Sequence, residues 1–207
     1  MNLYRETIPH EGFAILKRWS DSRPLGSFVF TSNVDGQFQK AGFAIEKVVE
    51  AHGSIHHLQC MGSCRNEIFA ATDLTIDVDQ QTMRAKGPLP KCPCCRILAR
   101  PNILMFRDSD WNDSRSDAQS ERFHDWQESL KRHLNERGAV RLAIVELGAG
   151  GAIATVRHTS ERLARDFRSP LIRINPREHE IPDGGIGIPL GSAHSLKEID
   201  QRMRPRL

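Results

Sequence analysis

The residues able to do chemistry crowd into one stretch, Thr31 to Cys64, which reads TSNVDGQFQKAGFAIEKVVEAHGSIHHLQCMGSC. Within it His52 precedes Gly53. A histidine exchanges a proton near neutral pH, and the adjoining glycine lets a bulky ligand approach the backbone. His52 is therefore a candidate general base; His56 and His57 compete with it, and a structural histidine is the plainer alternative. Asn33 and Asp35 follow the apolar run SFVFT at 27–31. Ligands of open α/β sheets gather at the carboxyl ends of strands, so this pair stands where chemistry is expected, although a simple Asn/Asp/Gly turn has the same composition.

The cysteines suggest a second chemistry. Cys60 and Cys64 are separated by three residues, and Cys92 and Cys95 form a C-x-x-C with Cys94 inside it. Two such thiolate knuckles suit tetrahedral zinc, and four protein ligands leave no position open, so the metal would stabilise a small lobe and hydrolyse nothing. Free buried cysteines are the alternative, and Cys94 is a spare thiol that could replace a ligand. Five cysteines, four of them in two short-spaced pairs, fit a reducing compartment better than a disulfide framework.

These residues need elements to position them. Periodicity predicts a helix over 9–20 with Phe13, Leu16 and Trp19 on one face and Pro9 in its first turn. Residues 46–50 read as a short helix or strand leading to His52. Leu74, Ile76 and Val78 alternate as a strand between the cysteine pairs, with Asp73, Asp77 and Asp79 on its solvated side. NILMF at 102–106 is another apolar run, and the polar segment after it is either a ligand wall or an ordinary loop. An amphipathic helix over 119–137 carries Phe123, Trp126, Leu130 and Leu134 on one stripe, with Gly138 as its stop and His124 and His133 at the surface. RLAIVEL at 141–147 is a buried-type strand, GAGG at 148–151 a tight loop, and 153–167 a helix; such a loop lets backbone amides reach a phosphate or ribose. LIRIN at 171–175 is a further strand, and a last helix begins near Ser192. Strand, helix, strand in this order argues for a parallel sheet covered by helices.

Composition narrows the partners. At 39% hydrophobic and 27% charged residues the 207-residue chain is ordinary globular protein, one domain or a domain with a satellite. Its 29 basic residues are spread among 26 acidic ones, with no stripe to grip nucleic acid. No run approaches 18 apolar residues and the start lacks secretory-signal features, so no membrane partner and a cytoplasmic address are expected.

Taken in order, TSNVDG at 31–36, AHGS at 51–54, the two cysteine pairs, RPNILMF at 100–106, ELGAG at 146–150 and RINP at 173–176 resemble the sirtuins, NAD-dependent protein deacylases, in a bacterial form. The resemblance covers essentially the whole chain. It implies an α/β fold: a Rossmann-like parallel sheet flanked by helices, formed by 1–54 and 107–207, with a zinc-ribbon lobe and the start of the substrate-channel strand inserted at 55–106. It implies NAD as co-substrate, structural zinc on Cys60, Cys64, Cys92 and Cys95, and an acylated-lysine protein as partner. His52 matches the general base. Asn33 and Asp35 match the groups around nicotinamide and its ribose, Asn33 with a catalytic role as well. Gly148, Gly150 and Asn175 match the adenosine side, and Ile103, Leu104 and Phe106 the acyl-lysine channel. The implied reaction moves the acyl group from lysine to ADP-ribose and releases nicotinamide. There are departures: Ser32 replaces a usual Gln, GAGG lacks the usual Thr and Ser, and FRD replaces FGE. The opening NLYRETIPHEGF resembles the family from the helix after its cofactor loop, so the first βα unit with its Gly-Ala-Gly loop is expected to be missing, with a complementing chain as one possible source. The alternative is a catalytically inactive, zinc-stabilised module that binds an acylated peptide or an ADP-ribose-like ligand.

Overall fold

The computed structural model describes residues 2–62, 64, 68–72, 74–137, 141–181 and 184–203. The chain opens with α1 (Asn2–Glu6) and α2 (Glu11–Asp21). His10 caps α2, its Nδ1 accepting from the Gly12 amide at 3.0 Å. Pro9 therefore lies outside the helix and not in its first turn, because the cap satisfies an amide that the helix start leaves free.

Next come β1 (Val29–Thr31), α3 (Gln37–Lys40), a single 3-10 turn at Ile45–Lys47, β2 (Val48–Glu50) and β3 (Gly53–Cys60). The segment before His52 is thus both turn and strand. β1 and β2 pair in parallel, Val29 opposite Val48 and Thr31 opposite Glu50. β4 (Ile68–Ala70), β5 (Asp77–Val78), β6 (Ala85–Lys86) and β7 (Ala99–Ile103) follow, with β3 antiparallel between β4 and β7. The strand expected from Leu74 shrinks to Asp77–Val78, paired with β6. Leu74 is used otherwise: its amide donates to the Ala71 carbonyl and its own carbonyl accepts from Arg5 Nη1 at 2.9 Å. Asp77 is exposed, whereas Asp79 turns inward to hold the Gln81 and Thr82 amides. Asp73 lies outside the described residues.

α4 (Ser114–Arg137) starts earlier than its apolar stripe, since its polar first turns have their own task. The Asn112 side chain accepts from the Ser114 amide, and the Ser116 hydroxyl donates to the Glu50 carbonyl. Phe123 and Leu130 are buried as the stripe predicts, His124 is exposed, and His133 is half-buried with Nδ1 2.8 Å from the Ser129 carbonyl. Gly138 lies outside the described residues. The chain ends with β8 (Ile144–Leu147), α5 (Thr155–Asp166), β9 (Leu171–Ile174), β10 (Ile186–Ile188) and α6 (Ser192–Met203).

The parallel sheet comes as two ladders, β2 beside β1 and β10 beside β9 beside β8. A common apolar core joins them: Val49, Phe123 and Leu163 are buried, with Phe28, Phe30, Trp126, Ile144 and Phe167 packed on them. Each such side chain contributes about 1.5–3 kcal/mol on full burial, so this cluster holds the two ladders together. Beneath β9, Arg173 is 1% exposed and answered by Glu146 at 2.5 Å, Glu161 at 2.7 Å and the Glu180 carbonyl. Among the described residues no helix is long and apolar enough to cross a membrane.

Candidate functional site

Between β2 and β3 the chain makes a two-residue step, Ala51–His52, and its geometry depends on Gly53. Gly53 has φ +80°, and a Cβ there would stand 2.0 Å from the Asn102 carbonyl oxygen. Only glycine lets β3 come this close to β7. The Leu104 amide then donates to the His52 carbonyl at 3.0 Å, so the end of β7 clamps the His52 backbone. We expect Gly53→Ala to cost about 2–4 kcal/mol from backbone strain and the clash together. Urea unfolding checks it, and an unchanged midpoint would refute the account.

The His52 side chain is half-buried, with Nε2 3.2 Å from the Thr155 hydroxyl at the start of α5. Burial lowers its pKa below the ordinary histidine value, against an opposing hydrogen bond with the Ser32 backbone. The imidazole is therefore neutral at pH 7, the state a general base needs. His56 is engaged elsewhere, its Nε2 3.0 Å from the Asp35 carbonyl, and burial followed by the nearby Arg115 charge lowers the His57 pKa to about 4.

Asn33 is exposed on the loop after β1, its amide donating to the Thr31 hydroxyl at 3.1 Å. Asp35 Oδ1 accepts from the Gln37 amide at 3.1 Å, closing a tight turn over Gly36, the residue that caps α3. The turn reading of this loop is thus part of its geometry. Its position is fixed from β3, where the Ile55 amide donates to the Val34 carbonyl at 2.9 Å.

On the other ladder the glycine loop follows β8. Gly148 has φ +65° and donates to the Ile174 carbonyl, and the buried Asn175 donates from Nδ2 to the Ala149 carbonyl at 3.0 Å. Asn175 Oδ1 accepts from the Arg177 and Glu178 amides, which turns Glu178 back over the loop. There Glu178 Oε2 accepts from the Gly151 amide at 2.5 Å, and the Glu178 backbone carbonyl accepts from Arg157 at 2.5 Å. A carboxylate thus rests on the Gly151 amide in the loop before α5, where an anion is favoured. Sequence reasoning missed Glu178 and Thr155. Their only signals were an acid just beyond RINP and a hydroxyl at a helix start.

The structure brings His52 beside α5, and Ile103 and Leu104 beside His52. Ile103 is half-buried, whereas Leu104 and Phe106 are 37% and 84% exposed, on the open side of the β7 end.

The metal lobe hangs on the other end of β3, at Cys60. The sulfurs of Cys60, Cys64, Cys92 and Cys95 all lie within 4.8 Å of one another. Cys60 is 3.5 Å from Cys95 and 3.6 Å from Cys64, and Cys64 is 3.6 Å from Cys92. Tetrahedral zinc with bonds of about 2.3 Å needs sulfurs about 3.8 Å apart, so the cluster fits. Without a metal the four thiols share their protons unevenly: the Cys95 backbone amide holds the Cys92 thiol down to about 7, burial pushes Cys60 up, and hydrogen bonds with Cys95 and Cys92 push Cys64 up. Cys94 is exposed and outside the four-sulfur cluster.

Comparison with known proteins agrees with this geometry. The family model described as the Sir2 family matches residues 1–127. A probable bifunctional ADP-ribose hydrolase/ADP-ribosyltransferase of Fusarium oxysporum f. sp. cubense is 29% identical over 170 residues, 78% of this chain and 28% of that protein. The NAD-dependent deacetylase sir2E of Dictyostelium discoideum is 34% identical over 119 residues, 51% of this chain and 33% of that protein. The chain thus spans 28% and 33% of the length of these two curated relatives. A solved structure of Sir2 with a p53 peptide and NAD+ superposes with TM-score 0.63 at 18% identity, covering 97% of this chain and 72% of that one. The fold is the Rossmann-like α/β fold of these structures, with a zinc-competent cysteine lobe.

Proposed function

Because the chain belongs to the Sir2 family, we propose that it is an NAD-dependent protein lysine deacylase. One observation supports this most: a neutral, half-buried His52 stands at the seam between the Asn33–Asp35 loop and the glycine loop, its backbone clamped by the end of β7. Bound NAD would supply a ribose carbon from which nicotinamide can leave as the acyl oxygen of the substrate attacks. His52 would take the proton of a ribose hydroxyl and hand it to the lysine nitrogen as that leaves; the ribose would supply the oxygen that captures the acyl carbon, and water would add there to complete the O-acyl product. Asn33 and Asp35 orient the nicotinamide side. Gly148, Gly150 and Asn175 take the adenosine side, with Glu178 as a carboxylate acceptor for ribose hydroxyls. Ile103, Leu104 and Phe106 lie along the acyl-lysine, whose extended backbone can pair with β7 as an added strand. Cys60, Cys64, Cys92 and Cys95 hold structural zinc, and the protein works in the cytoplasm.

A second reading is ADP-ribosyl transfer, in which a protein side chain takes the ribose carbon. It is supported by the openness of Leu104 and Phe106, which are 37% and 84% exposed where an acyl chain would need cover. Mass spectrometry after incubation with NAD and an acetyl-lysine peptide separates the readings. We expect O-acetyl-ADP-ribose and free nicotinamide. An ADP-ribosylated protein without the acetylated product would favour the second reading, and peptide or ADP-ribose binding without turnover would favour a non-catalytic module.

A further inference from the structure

A hollow of about 280 Å³ lies among α1, α3 and β3, and neither His52, Asn33 nor the glycine loop lines it; Asp35 is the one residue it shares with the site above. With about 30 Å³ per water in the liquid, it has room for a small organic molecule. Its accessible wall is mostly carbon, yet charges frame it: Arg5, Lys40 and Arg115 against Asp35 and Glu50. The balance is one positive charge in excess.

Among the described residues, two of the three cations, Arg5 and Lys40, are held by carbonyls and not by a carboxylate. The terminal nitrogens of Arg5 donate to the carbonyls of Leu74, Ala71 and Ile55, and the Lys40 ammonium to those of Arg5 and Thr7. These are neutral acceptors. Arg115 meets Glu50 through Nη2, while its Nη1 is buried with no hydrogen-bond partner, as is Nδ1 of His57. An uncompensated cation and a buried N–H without an acceptor are both relieved by an anion. The carbon-rich wall selects against phosphate or sulfate and for an anion with an apolar body, and the volume keeps it small.

We propose that this hollow binds a small monocarboxylate with an apolar body, its carboxylate toward Arg115 and His57 and its body against Tyr4 and Ile45. The inference does not depend on NAD chemistry. Such an occupant would also brace the Asn33–Asp35 loop, since His56 lines the hollow and its ring bonds the Asp35 carbonyl.

Isothermal titration of the zinc-loaded 207-residue protein tests it, with benzoate, benzamide and phosphate as probes. Benzoate should bind with Kd about 1 mM or tighter, and benzamide, the same body without the charge, about tenfold more weakly. Ile45 is 52% exposed, so Ile45→Trp should fill the hollow and abolish benzoate binding without lowering the thermal midpoint. Arg115→Met should weaken benzoate about tenfold, and because it strands Glu50 the Ile45 variant carries the decision if it misfolds. No heat up to about 10 mM, equal affinity for benzamide, or benzoate binding that survives Ile45→Trp would each overturn the proposal. Phosphate binding as tight as benzoate would mean an adventitious ion only.

Discussion

Replacing Cys92 with serine, or stripping metal from the native protein with a chelator, should unfold the cysteine lobe and lower the thermal midpoint by about 10 °C or more. The lobe has little else to hold it. Its apolar cluster is Leu58, Ala71 and Ala99 with Phe69 and Leu74 packed alongside, small beside the aromatic core that joins the parallel ladders. Structural zinc contributes on the order of 10–16 kcal/mol in small cysteine sites, comparable to the whole stability of a typical domain. At about 2–4 °C per kcal/mol for a chain of this size, even half of that gives about 10 °C or more. Differential scanning calorimetry with and without chelator, together with a colorimetric zinc count, makes the comparison. A midpoint indifferent to both changes would remove the metal site.

His52→Ala should leave the fold nearly untouched and lower turnover about 10²–10⁴-fold, the usual contribution of a positioned base. The side chain bonds the Thr155 hydroxyl and the Ser32 backbone, so its removal should cost about 2 kcal/mol of stability. The pH profile gives a sharper check. The active form is the unprotonated imidazole, so kcat/KM should fall as pH drops through the His52 pKa. Burial lowers that pKa, so the acid limb should lie below the ordinary histidine value of 6.5. A limb at or above 6.5, or turnover that survives His52→Ala, would reassign the base.

Much of the site was legible because it depends on residue type and spacing. The cysteine pairs carry their geometry in the spacing of each knuckle, and the His-Gly step is explained by one close backbone approach. What escaped depends on contacts between distant segments. Leu74 alternates like a strand residue, but Arg5, far away in sequence, takes its carbonyl. Glu178 looks like a solvent-facing acid until Asn175 turns the chain so that its carboxylate lands on Gly151. α4 starts early because its polar residues serve β2, which amphipathic periodicity does not register. Pro9 lost its place in the helix to a cap by His10, a residue rarely read as one.

β3 runs from Gly53, beside the candidate base, to Cys60 in the thiol cluster, its register with β7 shifting between Ser54 and Leu58. It acts as a short kinked rod that ties the candidate base at one end to the cysteines at the other. Oxidation of the thiols, or loss of their ion, would loosen one end of that rod and blur the aim of the imidazole at the other. The redox and metal status of the surroundings would then reach catalysis mechanically, with no effector needed. In hydrogen exchange, the amides from Gly53 to Cys60 should open together, and at the rate set by the thiol cluster.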